Sequence, residues 1–75
     1  MQFDELWEEV IALKVLPEAA HYDLPSALSN DTKRRMCAKT PEEAVEIFAD
    51  VISEINQGSV ETIDNLVNKR LQQLQ

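Results

Sequence analysis

A small all-α bundle of three to five helices is the fold class this sequence predicts, and three observations predict it. Glycine occurs once and proline three times, while Glu, Ala, Leu and Gln abound, a balance that favours helix over sheet. Apolar residues recur at helical spacing in three long stretches, near 3–15, 41–57 and 59–74. Only Val10 to Leu16 is β-branched enough for a short strand, and no second strand exists to pair with it.

Phe3, Leu6, Trp7, Val10, Ile11 and Leu13 form the stripe of the first helix, and Asp4 and Glu5 suit its start by their charge. Phe3 and Trp7 are expected in the core rather than in a ligand stack. Pro17 to Tyr22 reads as a short helical turn. Asp23-Leu24-Pro25 reads as a break, because the residue before a proline avoids the helical region. Pro25 to Leu28 is expected to form one turn. Asn30 or Asp31 is expected to cap a further short piece through Ala38, with an interruption near Asn30.

Thr40 to Ile55 carries the clearest helix start in the chain. Thr40 can accept from a free amide, Pro41 fits the first helical position, and Glu43 completes a capping box. Ala44, Val45, Ile47, Phe48, Val51, Ile52 and Ile55 share one broad side, with Phe48 and Ile52 expected at the centre of the core. Gly58 is the expected stop and Ser59 the expected cap of the last helix. Val60, Ile63, Leu66, Val67, Leu71 and Leu74 line one face of that helix, and Lys69 and Arg70 lie late in it, where cations suit the dipole. The short link makes the last two helices antiparallel neighbours or an angled helix-turn-helix.

The 75 residues make a single helical domain, 1–75, and a domain this short buries only about 60% of its unfolded surface. The net charge of −7 opposes nonspecific binding to nucleic acid or to anionic membranes, because phosphates would be repelled. Cys37 is the single cysteine, which excludes an internal disulfide and suits a reducing cytoplasm. The opening MQFDELWEE is acidic where a signal peptide would be basic, and no apolar run approaches the roughly 20 residues that span a bilayer. The expectation is a cytoplasmic protein with no membrane segment.

Glu42, Glu46, Asp50 and Glu54 form an unbroken i, i+4 row of like charge, and from Thr40 to Asn68 seven acids stand without a base. Each such pair costs roughly 0.2–0.5 kcal/mol in an isolated helix. Plain solvation is the bland reading of the row. Compensation by Lys33, Arg34, Arg35 and Lys39, a basic protein partner, and mimicry of a nucleic-acid backbone are the others. The KRR cluster itself can hold a phosphate, but so many acids nearby favour internal pairing or solubility.

Glu18-Ala-Ala-His21 has the i, i+3 spacing of half a di-metal site. One copy, directly after a proline and outside any long helix, reads better as a surface or capping histidine. Residues 43–74 have the pattern of a DNA-binding helix-turn-helix, yet its second helix opens with Glu61 and Asp64, where bases would be touched. Cys37 and His21 are the only obvious nucleophile and base, and a proline break separates them. Neither a cofactor nor catalysis is expected.

The favoured function is a non-enzymatic protein-interaction module, an adaptor or small regulator, using Glu42, Glu46, Asp50 and Glu54 against an unidentified basic protein. The alternative is a small transcriptional regulator or antitoxin-like protein with a helix-turn-helix core. A homodimer is also expected, because so short a domain usually needs help for its core and the stripe of the last helix runs to the chain's end. Val67, Leu71 and Leu74 are its expected contacts, with Gln72 and Gln73 at the rim. The competing arrangement is a monomer in which the first helix covers the last.

Overall fold

The computed structural model describes residues 2–73, without the side chains of Ala19 and Tyr22. Five helices follow in order: α1 Phe3–Ala12, α2 Glu18–Ala27, α3 Asn30–Met36, α4 Pro41–Asn56 and α5 Ile63–Gln73. There is no strand among the described residues, so the all-α expectation holds. No described helix is long and apolar enough to cross a membrane.

α1 buries Phe3, Leu6, Trp7 and Val10, the spacing read from the sequence. It ends at Ala12 rather than near 15. Leu13 and Lys14 turn their N–H groups back to the carbonyls of Val10 and Ile11, and Lys14 takes a left-handed φ of 57°. That conformation closes a helix, and it is usually left to glycine. Pro17 then keeps Leu16 out of the helical region.

α2 corrects the expected break at Asp23-Leu24-Pro25, since the helix runs through Pro25 to Ala27. A proline inside a helix costs ~3 kcal/mol or more, but here it falls in the last turn. Leu24 and Leu28, on either side, are both buried, and each contributes about 1.5–3 kcal/mol by leaving water. The Ser26 hydroxyl also donates to the Asp23 carbonyl at 3.0 Å. α3 is capped by Ser29, not by Asn30 or Asp31: the Ser29 hydroxyl accepts from the Thr32 N–H at 3.2 Å. Its last turn carries Lys33, Arg34 and Arg35, favourable against the dipole.

α4 starts as its sequence predicts. Thr40 Oγ1 accepts from the Glu43 N–H at 3.1 Å, and Glu43 Oε1 accepts from the Thr40 N–H at 3.0 Å. It stops at a Schellman motif around Gly58, whose φ is 96°: Gly58 N–H reaches the Ile55 carbonyl and Ser59 N–H the Glu54 carbonyl. Ala44, Ile47, Phe48 and Val51 are buried. Ile52 is only half-buried and Ile55 is exposed, so the central pair of the core is not Phe48 with Ile52. Phe48 instead meets Trp7 edge to face, with centroids 5.4 Å apart.

α5 begins at Ile63, not at Ser59. Thr62 is its cap, accepting from the Asn65 N–H at 3.1 Å, while Ser59 accepts only from Glu61 two residues on and so makes a local turn. Val60, expected on the apolar face, is 98% exposed. α1 and α5 both pack on α4, and α5 is further covered by α3 and α2. Leu66, Val67 and Leu71 are therefore inside the chain's own core.

Candidate functional site

The capping box fixes where α4 begins, and the helical repeat then carries Glu42, Glu46, Asp50 and Glu54 along the flank away from Phe48. Glu42, Glu46 and Asp50 are exposed. Glu54 is different. Its side chain retains 37% exposure, and Oε1 accepts from Arg70 Nη2 at 2.8 Å, with the Arg70 side chain 26% exposed. Glu54 Oε2 is shielded from solvent and has no hydrogen-bond partner among the described residues. Arg70 also borders a small hollow of about 70 Å³ lined by Glu46, Ile47, Asp50 and Gln73. One guanidinium thus neutralises the far end of the row and lies beside its middle.

Arg70 is the residue of the candidate site that sequence reasoning missed. It had a role there only against the dipole of its own helix. The signal that points to it is the packing of α5 on α4, which brings Arg70 to Glu54. Three of the four expected compensators are engaged elsewhere: Arg34 pairs with Asp31 on its own helix, Arg35 donates to Asn68, and the Lys33 ammonium lies 5.6 Å from the centre of the Phe3 ring. Lys69, the other base of α5, pairs with Glu61.

The carboxyl of Glu43 is held below its ordinary range by the backbone N–H of Thr40, then by the Thr40 hydroxyl. Its charge serves the cap and is not part of the row. A second polar centre, which the sequence did not reveal, joins α3 to α5. Asp64 Oδ1 accepts from the Ser29 N–H at 2.9 Å, and Asn68 Nδ2 donates to Thr32 Oγ1 and to the Asp64 carbonyl, each at 3.0 Å. Thr32 is fully buried. The Thr32 hydroxyl, followed by the Ser29 N–H, keeps the Asp64 carboxyl below the usual range. Buried polar groups so paired fix the register of two helices.

The remaining candidates fall into structural places. Val67 and Leu71 are covered by the chain itself, so neither is available at a dimer surface, and Leu74 lies outside the described residues. The unspent stripe that argued for self-association is largely spent within the fold. His21 is half-buried against Trp7, with Nε2 shielded and without a hydrogen-bond partner among the described residues, which corrects its reading as a surface or capping residue. Glu18 is exposed, and no group of three or more metal-ligand side chains gathers among the described residues. Cys37 is half-buried. The link of residues 57–62 is longer than the three- or four-residue turn of a helix-turn-helix, and both bases of α5 are paired to acids of the same chain. No protein-family model, curated protein or solved structure matches this chain.

Proposed function

We propose that this chain is a non-enzymatic protein-interaction module, an adaptor or small regulator, that offers the acid flank of α4 to a basic protein. The observation that carries this reading is the exposure of Glu42, Glu46 and Asp50 on one helix flank, with no salt bridge to any of the three among the described residues and Arg70 committed to Glu54. A row of like charges raises the energy of its own helix, and a cationic partner relieves that repulsion on binding. Complementary charge of this kind speeds encounter and rejects wrong partners more than it adds affinity. The pairing of Lys69 and Arg70 within the chain supports a protein partner over nucleic acid. The lone thiol of Cys37 suits a reducing compartment such as the cytoplasm.

The test compares proteins captured from the source cell by the wild-type chain and by Glu46→Gln/Asp50→Asn, both at low salt. A protein held by the first and released from the second is the expected result. Equal capture by both chains contradicts the reading. A gel shift of mixed-sequence DNA that weakens steeply with salt turns the assignment to the regulator instead.

A further inference from the structure

A second surface lies on the flank of α4 next to the acid row, and most of its walls are apolar. Two open hollows, of about 320 and 290 Å³, share Pro17, Ile52 and Asn56 and so form one continuous groove. Val15, Ala49, Ile55 and Ile63 complete its apolar walls. Val15 is 61% exposed, and Ile55, Ala49 and Pro17 are exposed as well. Val15 is the most hydrated of these side chains, while Ile52 and Ile63 are partly buried against the core, so the apolar area still open along the groove would gain about 25 cal/mol per Å² if something covered it.

Charge at the rim selects the occupant. Asp23 is part of one wall, and Glu18 follows Pro17 on the same side; both are exposed. On the α4 side, Ala49 has Glu46 three residues before it and Ser53, also in the lining, has Asp50 three residues before it, each a neighbour on the helix surface. The groove therefore runs between two acidic edges. Lys14 is the one base that adjoins it in sequence. A second copy of this chain would bring another −7 of charge to the contact. An acidic or neutral peptide would leave both edges unpaired.

We infer that the groove takes the apolar face of a basic amphipathic helix supplied by another protein, whose flanking Lys or Arg residues meet Asp23 on one side and Glu46 and Asp50 on the other. The inference deepens the proposed function and rests on it, since the same acids supply the outer edge. Helix-in-groove recognition uses this division: apolar anchors at i, i+3, i+4 and i+7 fill the groove, and charges set the orientation.

The probe is a labelled amphipathic peptide of Leu and Lys, about 15–18 residues long so that it forms a helix readily once bound, with oligolysine of equal charge as its control. Fluorescence anisotropy of each against the full chain gives the affinities. The Leu–Lys peptide is expected to bind at least about tenfold more tightly, worth 1.4 kcal/mol. It is also expected to shift the methyl resonances of Ile52, Ile55 and Ile63. Ala49→Gln, which fills the groove without a charge, and Val15→Asn, which removes part of a wall, should each cut that advantage while leaving oligolysine unaffected. Both positions are exposed, and a thermal melt confirms that the variants fold.

Equal binding of the two peptides, or an advantage that survives both variants, overturns the groove and leaves the acid flank standing. Binding of both peptides that is unchanged in Glu46→Gln/Asp50→Asn overturns the acid flank instead. A dimer mass by light scattering that Ala49→Gln reduces to a monomer overturns the proposal in favour of a second copy as occupant.

Discussion

Lys14 carries a backbone conformation that its side chain disfavours. Its φ of 57° ends α1, and nothing but the turn requires it. A left-handed residue with a Cβ costs roughly 1–2 kcal/mol, part of which glycine gives back through its freer unfolded chain. Lys14→Gly is expected to raise stability by about 0.5–1 kcal/mol, read as a higher urea midpoint. Asp64 tests the polar clamp between α3 and α5. Its carboxyl is held below the ordinary value by Thr32 and Ser29, so it protonates less readily folded than unfolded. Its contribution is fully present above the unfolded pKa of about 3.9 and is lost as pH falls through the lower folded value. Asp64→Asn should therefore be less stable than wild type at neutral pH, and the gap should close under acid below about pH 4. Melts as a function of pH check this, and a constant gap down to the acid limit counts against the clamp.

At the level of whole helices, caps decide where each begins. Thr62 caps α5 and Ser59 does not, so Thr62→Ala should cost about 1 kcal/mol while Ser59→Ala stays within about 0.5 kcal/mol. Urea melts of the two variants separate them. The pair also shows what a sequence discloses. α4 was legible from Thr40 to Gly58 because its cap, its proline and its glycine act on neighbouring residues. α5 was legible as a helix but not in its first turn, because Ser59 and Thr62 are both good caps and packing chooses between them. α2 misled through Pro25, whose local penalty is offset by the burial of Leu24 and Leu28. At the candidate site, the row of Glu42, Glu46 and Asp50 could be read from spacing alone. Its counter-ion could not, since Glu54 and Arg70 meet only after two helices have packed. The same holds for Val67 and Leu71, whose stripe looked unspent until α3 and α2 were seen to cover it.

For the molecule as a whole, one aromatic holds the bundle together. Phe48 is fully buried on α4 against Trp7 of α1. Phe48→Ala should cost about 3–5 kcal/mol, most of the roughly 5 kcal/mol that so small a domain has to lose. A circular-dichroism melt that matches wild type would place the centre of the core elsewhere. Stability and binding divide between the two sides of α4. The buried face holds the fold, and under the proposed function the acid flank strains it slightly in return for a surface that a basic protein would recognise. The most direct measurement of that division is a pair of urea melts at low salt, wild type against Glu46→Gln/Asp50→Asn. The double variant removes all three i, i+4 repulsions of the row, each about 0.2–0.5 kcal/mol, and gives up only the nearby attraction to Arg70. The expected result is an unchanged or higher stability, by up to about 1 kcal/mol. A loss of about 1 kcal/mol or more would show that Glu46 and Asp50 are kept for the fold itself, and the acid flank would lose its claim to an outside partner.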